Sequence, residues 1–273
     1  MSRPDSARRK RLAQIGTALA ILLLGLILLL PLLSGLLAPF VPDSVQDPIG
    51  QHMIDTTAEE APYCNDPDGV AALQSLVDRI ATAADDGRSY KVYVSSADVL
   101  NAFAAPGGYV VLYEPIISKA DSANEVAGVL AHEMGHVIED HPAKGVVEAA
   151  GYGILGMLTF GGGDKAAIAR SLLSNHYSRA DELEADQIGV ETLNRAGIDS
   201  TGLISFFDKL KAAGGDMPGA LEFLSTHPSG DRRADELEGL IKAGEPALTD
   251  AQWKALRGIC KSTGKPEPIV VDK

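Results

Sequence analysis

Hydrophobic and polar residues follow three different patterns along the chain. Residues 12–42 contain no charged side chain, and the Leu- and Ile-rich part of this run, 19–37, is about as long as a helix that crosses a bilayer. Residues 70–84 place apolar side chains at helical spacing, whereas residues 90–94 alternate as in a strand. Residues 101–113 form two β-rich segments around Pro-Gly-Gly. The patterns predict a membrane-spanning helix, a soluble helix, a strand and a β-hairpin in succession.

Most of the remaining chain is predicted to be helical. Residues 122–125 have the form of a capping box, so a buried helix should run from there to about Asp140. The apolar segment 143–160 is interrupted by glycines and is too short and too broken for a second membrane span. A mobile hydrophobic hairpin, or a patch that dips into the membrane surface, is expected there instead. Further helices are expected at 178–196, 201–213, 231–243 and 249–261.

These elements predict an α+β fold that is mostly helical, with a small sheet or hairpin, behind one N-terminal transmembrane helix. A basic N-terminus and anchor should occupy residues 1–42, followed by a Pro- and Asp-rich tether over 43–68. The main domain should then extend over 69–261, and residues 262–273 should form a flexible tail.

The charges around the apolar run indicate which way the chain faces. Four arginines and one lysine precede the run, whereas the first charges after it are acidic. By the positive-inside rule the N-terminus is cytoplasmic and the main domain is extracytoplasmic, as in a single-pass protein of a bacterial inner membrane with a periplasmic domain. A cleaved signal peptide is the alternative, but its apolar region would be shorter and would end at an Ala-x-Ala site. Residues 12–37 are therefore expected to contact the lipid bilayer.

The overall charge excludes one class of partner. The chain carries a net charge of −13 although its first 42 residues are basic, so the main domain is strongly acidic. Such a domain repels nucleic acid, and no nucleic-acid partner is expected.

Two cysteines lie near the two ends of the main domain. In an oxidising compartment Cys64 and Cys260 could pair and tie these ends together. The alternative is two unrelated buried thiols. Cys64 stands in a polar turn, which is an unusual place for a buried thiol and favours the disulfide.

The candidate chemistry is concentrated in the buried helix, at His132-Glu133-Met134-Gly135-His136. Side chains at i and i+4 share one face of a helix, so His132 and His136 can bind one metal ion. Glu133 points beside that ion, where its carboxylate can activate a water. A chance match is the alternative, but three titratable groups inside a buried helix are costly unless a ligand satisfies them. The sequence therefore predicts a zinc site with one ion per chain.

Two histidines leave zinc short of ligands, since a catalytic site has three protein ligands and an open position. His141 is five residues after His136 and would point elsewhere on a continuous helix. Glu182 and Asp186 are i and i+4 on a later helix, so one can bind the metal while the other orients a ligating histidine. Glu184 would face away from that pair as a solvated charge, and a solvated face is the alternative for the whole acidic cluster.

Three segments together resemble a known family. These are the HEMGH helix, the NAFAAPGG segment before it and the SRADELEAD segment after it. In this order they are similar to the membrane-associated zinc metallopeptidases that include the CAAX prenyl proteases, the HtpX heat-shock proteases and the periplasmic BepA-type proteases. The resemblance covers roughly residues 65–245, and it implies a zincin-like metallopeptidase domain.

The resemblance also implies roles for individual residues. His132, His136 and Glu182 would be the zinc ligands and Glu133 the catalytic carboxylate, while Asp186 matches an acidic position behind the ligands. His227, in Ser225-Thr226-His227-Pro228, matches a histidine that can reach the zinc and hold the enzyme latent. Stabilisation of the transition state is a rival role for His227, and capping of a helix by a loop histidine is the structural alternative.

The predicted hairpin offers a place for a substrate. A sheet edge beside a metal helix can accept an extended peptide through backbone hydrogen bonds, although an ordinary packing hairpin explains the pattern equally well. The substrate-contacting residues would be Asn101, Ala102, Phe103 and Ala104.

The sequence thus predicts a zinc-dependent endopeptidase that acts on unfolded or extended polypeptides, such as misfolded envelope proteins. Glu133 would act as general base toward the attacking water. One alternative is a chaperone-like or binding module of envelope quality control that rarely cleaves. Another is an esterase or amidase that acts on small molecules.

Overall fold

The computed structural model describes residues 5–160, 177–213 and 233–271, together with Met217, Gly219, Phe223, Ser225 and His227. Ten α-helices are formed within these residues: α1 Asp5–Leu37, α2 Asp43–Glu60, α3 Pro67–Ala84, α4 Glu114–Ser118, α5 Ala123–Ile138, α6 His141–Phe160, α7 Arg179–Arg195, α8 Thr201–Ala213, α9 Arg233–Leu237 and α10 Asp250–Leu256. Short 3₁₀ turns are found at Ala38–Phe40 and Ile259–Lys261. The described strands are β1 Tyr63–Cys64, β2 Tyr90–Ser95, β3 Ala102–Ala105, β4 Tyr109–Tyr113, β5 Thr263–Gly264 and β6 Ile269–Val271.

The strands form one mixed sheet in the order β3-β4-β2-β1-β5, and β6 also pairs with β2. The pair β2–β4 is parallel, and the other pairs are antiparallel. The predicted hairpin is β3–β4, with Phe103 opposite Val111. Strand β3 lies at the edge of the sheet formed by the described residues, and within these residues one side of it carries no neighbouring strand.

The two faces of the sheet pack against different helices. The main core contains the apolar sides of α3, α5 and α8, for example Leu76, Leu130 and Phe206, which are fully buried. A smaller apolar cluster on α2 and the sheet includes Met53 and Tyr109. The chain is therefore mostly helical around a small sheet, as its hydrophobic pattern predicts.

The prediction of a tether over residues 43–68 was wrong. Residues Asp43–Glu60 form helix α2, which buries Met53 and Ile54 at the spacing of a helical face. Asp47 on this helix forms an ion pair with Lys91 of β2, with 2.9 Å between the carboxylate oxygen and Nζ. The polar composition concealed a short apolar face that is stabilised only by contact with the sheet.

The prediction of a flexible tail over residues 262–273 was also wrong within the described part, which ends at residue 271. Strand β6 pairs antiparallel with β2, and Ile269 is buried opposite Val92. Strand β5 pairs with β1 next to the disulfide between Cys64 and Cys260, whose Cα atoms are 4.4 Å apart. The disulfide and the two short strands fix the end of the chain to the sheet.

The segment 143–160 belongs to one continuous helix, α6, and not to a hairpin. This helix packs along α1: Ser34 donates a hydrogen bond to Glu148 over 2.7 Å, and a Cβ atom at Gly151 would lie 2.6 Å from the side chain of Leu30. The glycine that weakens the helix in isolation thus permits close contact between two helices.

Among the described residues, one helical segment is long and apolar enough to cross a membrane, judged by length and composition. It covers Arg8–Phe40, and many of its leucines, such as Leu22 and Leu32, are exposed in the structure. The first four residues of the predicted N-terminal segment lie outside the described part of the chain.

Candidate metal and catalytic site

Helices α5 and α7 carry the predicted site, and local sequence signals define both of their starts. The side chain of Ser122 accepts a hydrogen bond from the backbone of Glu125 at the start of α5. Ser178 and Asp181 form a reciprocal capping box at the start of α7. The two helices approach closely because a Cβ atom at Gly135 would lie only 2.5 Å from the carbonyl oxygen of Ala185. This contact brings the acidic face of α7 onto the histidines of α5.

Four buried side chains converge at the crossing of these helices. The Nε2 atoms of His132 and His136 are 3.1 Å apart. An oxygen of Glu182 lies 3.3 Å from Nε2 of His136 and 3.2 Å from Nδ1 of His227. Nδ1 of His227 is also 3.3 Å from Nε2 of His132. The four side chains could hold one metal ion, since each offers a ligand atom within 4.8 Å of the others.

The protonation of these groups suits metal binding. Burial holds the pKa of His136 well below its usual value, so its imidazole is neutral and offers a lone pair. Burial opposes the ionisation of Glu182, but the neighbouring His227, His136 and His132 outweigh it and hold the pKa of Glu182 well below its usual value. A neutral imidazole and an ionised carboxylate are the forms in which these groups bind a metal.

Asp186 lies behind His132. Its carboxylate oxygen is 2.8 Å from Nδ1 of His132, and both side chains are fully buried. A carboxylate at Nδ1 places the ring proton there and turns Nε2, with its lone pair, toward the centre of the site. The structure therefore assigns metal-facing geometry to Glu182 and an orienting contact to Asp186.

Glu133 is fully buried beside the four donor side chains. Its Oε1 atom lies 3.5 Å from Nε2 of His227. The carboxylate is thus next to the centre without belonging to the group of donor atoms, which is the placement expected of a general base.

A cleft opens on the centre between the sheet edge and two helices. The predicted segment Asn101–Ala104 lines it, together with α2, the first turns of α6, Tyr177 and His227. In the β3–β4 ladder the backbone of Asn101 is bonded to Tyr113, so the carbonyls of Ala102 and Ala104 point to the free edge.

Both of these carbonyls have side-chain partners. Nε2 of His227 lies 3.3 Å from the oxygen of Ala102, and the Tyr177 hydroxyl donates to the oxygen of Ala104 over 3.3 Å. The ring of Tyr177 also stacks on His136 with 3.9 Å between ring centroids. Burial raises the pKa of Tyr177 well above its usual value, so the phenol remains a donor.

Sequence reasoning missed two residues of this site. Tyr177 stands directly before the helix start, where no motif marks it. His141 was expected to point away, yet its Nδ1 lies 2.9 Å from Nδ1 of His136. Its Nε2 lies 3.2 Å from Glu184, whose side chain is exposed, and the sequence did not predict this contact. In the segment around His227, Thr226 and Pro228 lie outside the described residues.

Comparison with known proteins places the chain among peptidases. The profile of Peptidase family M48 matches residues 68–241. The chain is 36% identical over 157 residues to the mitochondrial metalloendopeptidase OMA1 of Arabidopsis thaliana, covering 56% of this chain and 32% of the relative. It is 30% identical over 219 residues to the beta-barrel assembly-enhancing protease of Yersinia pestis, and the match covers 74% of this chain and 45% of the relative.

A third relative is the mitochondrial metalloendopeptidase OMA1 of Schizosaccharomyces pombe, 30% identical over 164 residues that cover 58% of this chain and 49% of the relative. The chain thus spans between a third and a half of the length of the relatives it matches.

Proposed function

The chain belongs to peptidase family M48, and we propose that it is a membrane-anchored zinc endopeptidase that hydrolyses peptide bonds of misfolded envelope proteins. The observation that carries this proposal is the convergence of His132, His136 and Glu182 beside the buried carboxylate of Glu133, at the open edge of a sheet.

Zinc fits the donor set. Two ligands at 2.0–2.1 Å from a tetrahedral ion are about 3.3 Å apart. Nε2 of His132 and Nε2 of His136 are 3.1 Å apart, and Nδ1 of His227 lies 3.3 Å from Nε2 of His132. Oε1 of Glu182 lies 3.3 Å from His136 and 3.2 Å from His227, and Oε2 lies 3.6 Å from His132. When bound, zinc would supply a Lewis acid that lowers the pKa of a water to about 7.

The chain's own residues would perform the proton transfers. Glu133 would accept a proton from the attacking water and pass it to the leaving amine, which needs a carboxylate beside the centre but outside the ligand set. Its contact with His227, and its distance from bulk water, favour a fixed orientation of the carboxylate.

The proposed substrate is an extended polypeptide that adds to the edge of β3. The outward carbonyls of Ala102 and Ala104 are acceptors for the backbone N–H groups of such a strand. Backbone pairing requires no particular sequence, which suits substrates recognised by their lack of a fold.

The geometry around His227 supports a latent state. A catalytic zinc site keeps one position open, whereas His227 supplies a fourth donor at that centre. The same side chain contacts the Ala102 carbonyl on the substrate edge. In the proposed latent form His227 therefore occupies both the fourth position and part of the peptide site.

Helix α1 would anchor the enzyme, with its basic N-terminus in the cytoplasm and the peptidase domain in the periplasm. Residues 12–37 would contact the bilayer. Only Val41 and Pro42 separate the 3₁₀ turn after α1 from α2. Gly35 and Pro39 also line the same surface depression as His141. This placement supports a catalytic centre held close to the end of the anchor.

The decisive experiment compares the full-length protein with Glu133→Gln, using zinc-loaded protein in detergent and casein as the unfolded substrate. Glu139→Gln, an exposed change six residues further along the same chain, is the matched control. We expect zinc in all three and cleavage by the wild type and the control only.

Since the site is proposed to be latent, the same comparison is made in a His227→Ala background. If neither background cleaves casein although zinc is bound, the endopeptidase proposal fails and a holding function gains support. Cleavage that survives Glu133→Gln would remove Glu133 from the mechanism.

A further inference from the structure

The two imidazoles that face the metal centre have different partners on their far sides. Nδ1 of His132 on α5 lies 2.8 Å from the carboxylate of Asp186 on α7. Nδ1 of His136 meets a second imidazole, that of His141, at 2.9 Å. His136 and His141 are both buried, so this contact lies inside the protein and is not a surface encounter.

The chain reaches this arrangement through a break between two helices. Helix α5 ends at Ile138, Asp140 adopts a left-handed conformation with φ +56°, and α6 begins at His141. Arg88 fixes the break, because it donates to both carboxylate oxygens of Asp140, over 2.7 and 3.0 Å, and to the carbonyl of Ile138 over 3.1 Å. The reversal turns His141 back beneath His136, which five residues of continuous helix would not do.

The positions of the ring protons follow from the contacts. If Nε2 of His136 presents a lone pair to the metal, the proton of this neutral ring is on Nδ1, and it is donated to Nδ1 of His141. His141 then carries its own proton on Nε2. That atom faces two carboxylates, with Glu184 at 3.2 Å and Asp181 at 3.4 Å.

We propose that His141 is a positioning residue, which fixes the tautomer and the ring orientation of the metal ligand His136 through a hydrogen-bond chain that ends on Glu184 and Asp181. The inference rests on the proposed metal site. It adds a second orienting group beside Asp186. His132 is then oriented by a buried carboxylate, whereas His136 is oriented by an imidazole that is hydrogen-bonded to the exposed Glu184.

A second metal site is the competing use of the same side chains, because His141, Asp181 and Glu184 offer ligand atoms within 4.8 Å of one another. However, the ammonium group of Lys144 already lies 2.7 Å from Asp181. Nδ1 of His141 is also engaged by His136. A cation would have to compete with Lys144 at this cluster, whereas the hydrogen-bond chain leaves the contact between Lys144 and Asp181 in place.

The test measures zinc affinity by chelator competition on the full-length protein in detergent. His141→Leu removes the acceptor and should weaken zinc binding by roughly 10- to 100-fold, the usual effect of losing such a partner. His141→Asn places a carboxamide oxygen near the position of Nδ1 and should recover most of the affinity. His52→Leu, at an exposed histidine of α2, should leave the affinity unchanged.

A second set of variants tests the chain beyond His141. Glu184→Leu changes a half-exposed side chain, so the protein should fold, and it should weaken zinc binding by less than His141→Leu does. The double variant should bind zinc no more weakly than His141→Leu alone, since the chain is already interrupted. If His141→Leu does not fold, Glu184→Leu and His141→Asn carry the test.

The outcomes separate this inference from the proposed function. If the wild type binds one zinc ion and folded His141→Leu or Glu184→Leu binds it equally tightly, the positioning role is refuted and the metal site stands. Two ions in the wild type and one in His141→Leu would make His141 a ligand. If the wild type binds no zinc, and His132→Ala has the same zinc content as the wild type, both the proposed metal site and the positioning role of His141 are refuted.

Discussion

Nε2 of His227 lies 3.3 Å from the carbonyl oxygen of Ala102, on the outer side of β3, the edge strand of the described sheet. The other ring nitrogen of His227 faces Glu182 and His132. One side chain therefore bridges the proposed peptide site and the proposed metal site, so an extended peptide and His227 cannot occupy the centre together.

Replacing His227 with alanine should increase proteolysis. The variant keeps His132, His136 and Glu182, so zinc should remain bound while a position opens and the Ala102 carbonyl is released. We expect casein cleavage to rise by tenfold or more, which corresponds to about 1.4 kcal/mol. A fall of roughly 100- to 1,000-fold would instead identify His227 as a donor to the transition state.

Tyr177→Phe is the matched variant for the other carbonyl of the edge. It removes the hydroxyl that donates a hydrogen bond to the carbonyl of Ala104, but it keeps the aromatic ring that stacks on His136. We expect a lower KM for casein with little change in zinc content. An unchanged KM would mean that the edge carbonyls do not limit substrate binding.

Removing the metal should destabilise the peptidase domain. A ligand present at 1,000 times its Kd stabilises the folded state by about 4 kcal/mol. For a domain of this size that corresponds to about 10 °C in Tm. The measurement is thermal unfolding with a chelator and after zinc is added back. His132→Ala is the control, because its Tm should respond to neither treatment; a full zinc response in that variant would show that the ligand set is wrong.

The sequence was sufficient to predict the parts of the site that depend on the spacing of residues within one helix. The helical spacing of His132 and His136, and of Glu182 and Asp186, predicts two faces that the structure brings together. The family inferred from the three motifs is confirmed by the match over residues 68–241. The mostly helical fold with a small sheet is likewise as predicted.

The sequence was insufficient where a segment is stabilised by distant partners. Helix α2 has little local preference because it contains Pro48 and Gly50, and strand β6 has only three residues, so each is fixed by its contacts with the sheet. His141 was misplaced because the helix break at Asp140 depends on Arg88, about fifty residues earlier in the chain. No pattern within a single helix contains that information.

The close approach of α5 and α7 gives a prediction about a glycine. A side chain at Gly135 would collide with the backbone of Ala185 in the turn after Glu182, so Gly135→Ala must push the two helices apart. We expect a loss of about 1–3 kcal/mol in stability, together with weaker zinc binding.

Gly153→Ala on α6 is the control for this change. Among the described residues, no atom outside the backbone of its own helix lies within 4 Å of the position of its added Cβ. Alanine also favours a helix over glycine by about 1 kcal/mol. This variant should be as stable as the wild type or more so, with unchanged zinc affinity. Equal zinc affinity and stability in Gly135→Ala would show that the helices are not held at the distance seen here.

The short connection between the proposed anchor α1 and the peptidase domain predicts that the enzyme cleaves close to the membrane. Since α2 is not a tether and α6 packs along α1, the domain should not travel far from the bilayer surface. In liposomes, the His227→Ala enzyme would be offered reporters that carry one transmembrane helix and a Gly/Ser spacer before an unfolded segment.

Five spacer residues reach at most about 18 Å, whereas a spacer of 60 residues averages more than 40 Å. Cleavage should therefore be fastest with the shortest spacers that reach the cleft, and it should fall as the spacer lengthens. The same reporters and enzyme in detergent, where no bilayer fixes their relative height, should give a flat profile. A flat profile in liposomes would mean that the domain moves freely above the membrane, and the contacts of α6 with α1 would then have no part in choosing the substrate.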